Sequence, residues 1–284
     1  MKAFIISISA LLLFTVIVSM AFFLYYENLR SEKLLALAYY PGSPSFAFDD
    51  VSGDLAEISS LNVSAKRNSS SAYVFLQGSF SNPPSSGLYS YYSQFISSNY
   101  SSLTNANITL DASGLSDSSA EAIFSNGLAC SYAYSGASRS AAISSGSGDT
   151  GIYSYEANIS VGQALVNQSQ WASSPQGDLN VTLFISDMAG NVTSTVSLNR
   201  SSPNTYTVDY AGGQLSIQAG SVGAVDGAFE ISANGSIANS TSYSAAAQLP
   251  PGNLSSPLAY YWNARMNYSQ ANVSKSGWVE IGRA

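Results

Sequence analysis

Asn180-Val181-Thr182-Leu183-Phe184-Ile185-Ser186-Asp187-Met188-Ala189-Gly190-Asn191-Val192-Thr193-Ser194-Thr195-Val196-Ser197-Leu198 is the stretch on which the fold turns. Val181, Leu183 and Ile185 alternate with Asn180, Thr182 and Phe184, and after a turn Val192, Val196 and Leu198 continue. A period of two sends successive side chains to opposite faces of a strand, so one face is set up for a core and the other for water. Tyr206, Val208 and Tyr210, then Leu215, Ile217 and Ala219, then Phe229 and Ile231 follow the same rule. Gly212-Gly213 and Asn234-Gly235 read as hairpin-type turns. Short alternating strands with frequent turn signals predict an antiparallel sandwich or barrel, and the sandwich is the reading adopted for the fold class.

Working outward, the period changes before Asn107. Phe48, Val51, Leu55, Ile58 and Leu61 recur at helical spacing, with Asp49, Asp50, Asp54 and Glu57 on other faces and Ser45 as the N-cap. Tyr73-Val74-Phe75-Leu76 reads as a short buried strand, and Leu88 to Leu103 carries a second amphipathic pattern. The chain is therefore divided into a transmembrane and stalk helix over 1–40, a mixed helix/strand segment over 41–106 and a β-sandwich body over 107–284. The fold class is mainly β, with a long N-terminal helix and two short helices before the sandwich.

Phe4 to Tyr26 is 23 residues without a charge, a Pro or a Gly. About 20 apolar helical residues cross a bilayer core, so this segment is expected to contact membrane lipid as a single span. Tyr25 and Tyr26 fall where an interfacial aromatic belt sits. A helix unbroken to Tyr40 would be about 55 Å long. The rival reading is a secretory signal cleaved after Ser19-Met20-Ala21, but Phe22 to Tyr26 continue the apolar run beyond the usual length.

Asn-x-Ser/Thr occurs at Asn62, Asn68, Asn99, Asn107, Asn158, Asn167, Asn180, Asn191, Asn199, Asn234, Asn239, Asn253, Asn267 and Asn272. That is 14 of the 20 Asn residues. Composition alone would place roughly 5 there, Ser and Thr making about a quarter of the chain. The excess points to a glycosylated body on the outer side of the membrane, with modified Asn on loops or outward strand faces. Lys2 before the span and Arg30 and Lys33 after it leave charge alone undecided about orientation.

Much chemistry is excluded. There is no His, hence no Ser-His or Cys-His nucleophile pair. No nucleophile elbow or phosphate loop occurs. The net charge of −7, with Lys66, Arg67, Arg139, Arg200, Arg265, Lys275 and Arg283 scattered, argues against nucleic acid. The acidic residues from Asp49 to Glu57 read as a solvated helix face rather than a catalytic pair. Asp111 and Asp117 flank a turn without trustworthy Ca²⁺ spacing. Tyr89, Tyr91, Tyr92 and Tyr100 read as packing residues, with a sugar platform as the alternative. Cys130, the only cysteine, reads as a small buried hydrophobe, with an intermolecular bridge as the alternative. No catalytic residue, metal or cofactor is expected.

Two short motifs within Asn107–Ser232 resemble immunoglobulin-like domains. Asp149-Thr150-Gly151-Ile152-Tyr153 has the form of a tyrosine corner, and Asp187-Met188-Ala189-Gly190-Asn191 looks like a hairpin of bacterial and archaeal surface domains. Where the first family often has Cys, two residues on, this chain has Tyr155. The opening Lys2-Ala3, followed at once by the apolar helix, resembles archaeal type IV pilins. That resemblance implies cleavage between Ala3 and Phe4 and assembly with copies of itself or other pilin-like subunits. Ile8 stands where many members carry Glu. The expected function is a non-enzymatic, anchored, glycosylated, pilin-like structural or adhesive surface protein. The alternatives are a surface receptor or solute-binding module, and an exported hydrolase.

Overall fold

The computed structural model describes residues 44–81, 87–116, 118–145, 151–171, 177–223, 225–250, 258–271 and 273–284. The apolar segment Phe4–Tyr26, the stalk to Tyr40, the Ala3–Phe4 bond, and Asn253 and Asn272 lie outside these residues. Among the described residues, no helix is long and apolar enough to cross a membrane.

In chain order the elements begin with helix α1 (Pro44–Ser59), strands β1 (Asn62–Arg67) and β2 (Ala72–Ser79), and helix α2 (Leu88–Phe95). A π turn over Ile96–Tyr100 leads into α3 (Ser101–Thr104). Strands β3 (Asn107–Asp111), β4 (Ser119–Phe124), β5 (Leu128–Ser135), β6 (Ser138–Ser145), β7 (Ser154–Val161) and β8 (Leu165–Gln168) follow. Then come β9 (Leu179–Ser186), β10 (Asn191–Leu198), β11 (Pro203–Tyr210), β12 (Gly213–Val222) and β13 (Val225–Asn234). A 3₁₀ segment over Gly235–Ser240 precedes β14 (Thr241–Leu249), β15 (Ala259–Gln270) and β16 (Val273–Arg283).

These strands make two sheets. One has 6 strands in the order β1-β2-β14-β7-β9-β10. The other has 10, ordered β16-β15-β4-β5-β6-β13-β12-β11-β8, with β3 also paired to β15. The protein is thus mainly β. Pairing is antiparallel except between β7 and β9, which run parallel, the chain visiting β8 in the other sheet between them.

The alternation read in the sequence is what packs the sheets together. Val181, Leu183 and Ile185 are buried while Asn180, Phe184 and Ser186 are exposed, and β7 buries Tyr155, Ala157, Ile159 and Val161 on the same side. Tyr155 stacks on Phe229 of β13 in the opposite sheet, with ring centroids 4.8 Å apart. Its hydroxyl donates to the Gly227 carbonyl at 2.7 Å in the buried interior. Gly227 has φ 69, a backbone conformation that side-chain-bearing residues seldom adopt. Phe80 joins the sheets at a second point, lying against Tyr243 of β14 and Tyr132 of β5. Arg200 makes a third tie: its guanidinium donates to the Ile152 carbonyl, and its own carbonyl accepts from Gly227 N–H.

Several readings change in detail. The sequence boundary at 106 does not divide the core, because β2 pairs along its length with β14 and the segment's strands belong to the six-stranded sheet. Helix α1 opens on Pro44, not with Ser45 as its cap; a fixed φ and a missing N–H cost nothing in a first helical turn. It ends at Ser59, and Ser60, at φ 53, turns the chain so that Leu61 enters the core outside the helix. Asn234-Gly235 is no hairpin; it starts the 3₁₀ passage from β13 in one sheet to β14 in the other. The strand through Tyr73 and Phe75 is not buried on both faces, since both rings point outward and half-exposed while Val74 and Leu76 point in. Among the described residues, the Tyr153 hydroxyl does not tie back to nearby backbone but meets Ser71 Oγ at 3.3 Å. The Asp187–Asn191 turn does close β9 onto β10, with Asp187 Oδ1 accepting from Ala189 N–H at 2.6 Å and Gly190 N–H at 3.1 Å.

Two predictions follow from the core. Tyr155→Phe keeps the ring but strands the Gly227 carbonyl, so urea unfolding should show a loss of about 1–2 kcal/mol; an unchanged midpoint would mean that the inter-sheet bond contributes nothing. The second concerns pH. Burial pushes the Tyr155, Tyr243, Tyr210 and Tyr132 hydroxyls above the ordinary tyrosine range. Above about pH 10 the unfolded chain therefore releases protons that the folded one retains, and stability falls as pH rises. With no His, stability should be nearly flat from about pH 6 to 8 in a series of thermal melts. Burial also pushes the Cys130 thiol up, so the decline begins above about pH 8, where the unfolded thiol starts to lose its proton.

Candidate functional site

The outer face of the six-stranded sheet is built by the side chains that the alternation leaves over. Register sets them in rows across the strands. One row runs Ser64, Phe75, Ala246, Glu156, Thr182, Thr195, and the next runs Asn62, Gln77, Ser244, Asn158, Phe184, Thr193. Hydroxyls and amides dominate, since neither core packing nor charge is required of them. Three aromatic rings interrupt them. Tyr73 and Phe75 stack with centroids 6.2 Å apart, with the Lys66 ammonium 5.7 Å over the Phe75 ring, and Phe184 is 39% exposed.

Two adjoining clefts lie on this face. The larger, about 530 Å³, crosses β14, β7, β9 and β10 and is lined by hydroxyls, amides and the apolar Phe184, Val192, Ile159, Ile185 and Tyr243, without a charged side chain. The smaller, about 320 Å³, holds Tyr73, Phe75, Gln77 and Glu156. Asn158 and Ser244 border both. Sequence reading placed Asn158 as a glycosylation signal but did not assemble the clefts. The available signal was Phe184, a large apolar residue at an outward position of an alternating strand.

The glycosylation signals share one property. Asn62, Asn68, Asn99, Asn107, Asn158, Asn167, Asn180, Asn191, Asn199, Asn234, Asn239 and Asn267 are all exposed. Asn126, Asn204 and Asn263, which lie outside any signal, are half-buried. Their side chains are in use: Asn204 Nδ2 donates to the carbonyls of Asn199, Ser202 and Ala219, Asn263 Nδ2 donates to Glu121 at 2.9 Å, and Asn126 Oδ1 accepts from Leu128 N–H. Asn105, also outside any signal, is exposed and takes the left-handed conformation that ends α3.

The other groups singled out in the sequence are dispersed. Tyr89 is buried and Tyr91 is 69% exposed, so the tyrosines form no shared platform. Tyr92 instead donates to Asp54 Oδ2 at 2.6 Å, joining α2 to α1, and burial with that carboxylate beside it holds its hydroxyl protonated far above the usual range. Burial also pushes up the Tyr100 hydroxyl, which lies near Asp50. The acidic face of α1 is thus largely solvated, with Asp54 as the anchor for the second helix. Hydrogen bonding from Ser113, first from its hydroxyl and then from its N–H at 3.0 Å to Asp111 Oδ1, lowers the Asp111 carboxyl below the usual range; Asp117 lies outside the described residues. Among the described residues, no group of three or more His, Cys, Asp or Glu is placed to hold a metal ion. Cys130 is buried in β5.

No family model, curated protein or solved structure matches this chain.

The helix anchor can be checked directly. Tyr92→Phe removes a hydrogen bond to a carboxylate that is partly solvated, and should lower stability by about 1 kcal/mol. Tyr91→Phe, on the open side of the same helix, should change it by less than about 0.5 kcal/mol. Equal losses in chemical unfolding would show that the tyrosines act together after all.

Proposed function

We propose that this chain is a non-enzymatic glycoprotein of the cell surface, held at the membrane by Phe4–Tyr26 and carrying its two-sheet body outside, in a pilin-like structural or adhesive role. The observation that carries this reading is the exposure of every described signal Asn, whereas three of the four described Asn outside a signal are half-buried and hydrogen-bonded. A sugar attaches through Nδ2. The amide nitrogen bonds to the anomeric carbon of an activated, phosphate-linked sugar, the phosphate leaves, and the amide gives up one proton. Oδ1 keeps its lone pairs. This chain uses Oδ1 and spares Nδ2 at several signals: Asn180 accepts from Ser197, Asn234 from Gln214 N–H and Asn239 from Arg139. Those bonds survive modification.

The charge balance supports the same place. At 10% charged residues, the chain has well under half the usual share of about a quarter. Bulky hydrophilic glycans keep such a surface hydrated. The pilin-like part rests on Lys2-Ala3-Phe4 and the apolar segment behind it. A second reading, a surface module that binds a solute, is favoured by the two clefts of the six-stranded sheet.

Mass analysis of protein taken from its own host tests both halves. Glycopeptides should be found at most of the exposed signals, and the mature chain should start at Phe4 where the pilin-like role holds. Bare Asn throughout would remove the surface-glycoprotein reading. A start at Met1 with only monomers in crosslinked membranes would remove assembly and leave a simple anchor.

A further inference from the structure

Most exposed signals occupy turns, strand ends or edge strands. Asn158 does not: it lies mid-strand in β7, paired on one side with Ser244 of β14 and on the other with Phe184 of β9. Asn267 is also mid-strand, but its amide is engaged on both atoms, with Thr109 and Ser276. The amide of Asn158 makes no hydrogen bond among the described residues, and it stands between the two clefts.

We infer that the sugar chain on Asn158 lies in the larger cleft with its innermost ring against Phe184, as a packed part of this face and not a free appendage. The inference rests on the glycoprotein reading above and goes beyond it by assigning one glycan a structural seat. Three features support it. The first is chemistry. A pyranose offers a rim of hydroxyls and a face of C–H groups. The cleft offers the Ser160, Thr193, Ser242 and Ser244 hydroxyls, each both donor and acceptor, around one exposed aromatic ring, and no charge. The second is size: about 530 Å³ falls within the range of small-molecule sites. The third is reach. Neighbouring strands lie about 4.8 Å apart, so Phe184 is one strand from the attachment point, and a tethered group meets its site at an effective concentration far above that of any free sugar. Phe184 alone would be an ordinary exposed apolar residue. In register with a signal Asn, on the wall of an uncharged cleft, it has a ligand of matching chemistry attached beside it.

The test uses the full-length glycoprotein from its host, with Asn158→Gln, Phe184→Ser, the double variant, and Asn167→Gln as a control on the edge strand β8. Asn158→Gln should lower the thermal midpoint by about 2–4 °C, the shift that about 1 kcal/mol produces in a body of this size. Asn167→Gln should leave it unchanged. Phe184→Ser should cost a similar shift in the glycosylated protein and nothing further in the Asn158→Gln background, because both changes remove the same contact. Additive shifts, or none, overturn the inference. Should Asn158→Gln fail to fold, periodate oxidation of the native protein decides. The innermost sugar at Asn158 should react more slowly than that at Asn167, and denaturant should abolish the difference; equal rates in the folded protein overturn the seat. A bare Asn158 beside a glycosylated Asn167 sinks this inference alone, whereas bare Asn at every signal sinks the glycoprotein reading with it.

Discussion

The contact on which the rest depends is the face-to-face burial of the two sheets, centred where Tyr155 stacks on Phe229 and hydrogen-bonds the Gly227 carbonyl. The chain has one cysteine, buried and unpaired, so no covalent staple shares the load. Charge contributes little as well: the ion pairs at Arg200–Asp178 and Arg283–Glu280 are largely solvent-exposed on at least one side, where such pairs add little. Stability must come from apolar area removed from water and from backbone ladders. That requirement explains why the inward positions of β2, β7, β9 and β14 are so uniformly aliphatic or aromatic.

The same economy frees the outside. Once the inward positions supply the core, the outward positions need only avoid aggregation and unwanted pairing. Ser, Thr, Asn and Gln do this without charge, but a broad neutral polar sheet face is weakly hydrated compared with a charged one. On the proposed reading, glycans at exposed Asn would supply the missing hydration. The helical side shows the opposite use of polarity. There Asp54 is engaged by Tyr92, fastening α2 to α1, which itself receives a hydrogen bond at the Ser52 carbonyl from the Trp262 indole of β15.

Local pattern made much of this legible. The period-two stretches of β9, β11, β12 and β13 declared strands and their buried faces, because alternation is a property of the strand itself. The helical stripe of Phe48, Val51 and Leu55 declared α1 for the same reason. The turn at Asp187–Asn191 was readable because Asp bonds its own following backbone amides. The misreadings arose where partners distant in sequence decide. Tyr73 and Phe75 looked buried because an apolar run does not say how many of its faces are covered; β2 sits in a sheet whose second face is open. The same ambiguity hid the cleft around Phe184.

By itself, then, the amino-acid order determined the β character of the body, the inward residues of its strands, the dispersal of glycosylation signals and the exclusion of His-dependent chemistry, all of which depend on residues within a few positions of one another. Only the tertiary structure decided that β2 belongs beside β14 across the 106 boundary, that β7 and β9 run parallel, that Tyr155 reaches Gly227 and that Asn158 comes to lie beside Phe184. Those pairings join segments tens of residues or more apart. They are selected by the global match of apolar faces, a quantity that no local window of sequence contains.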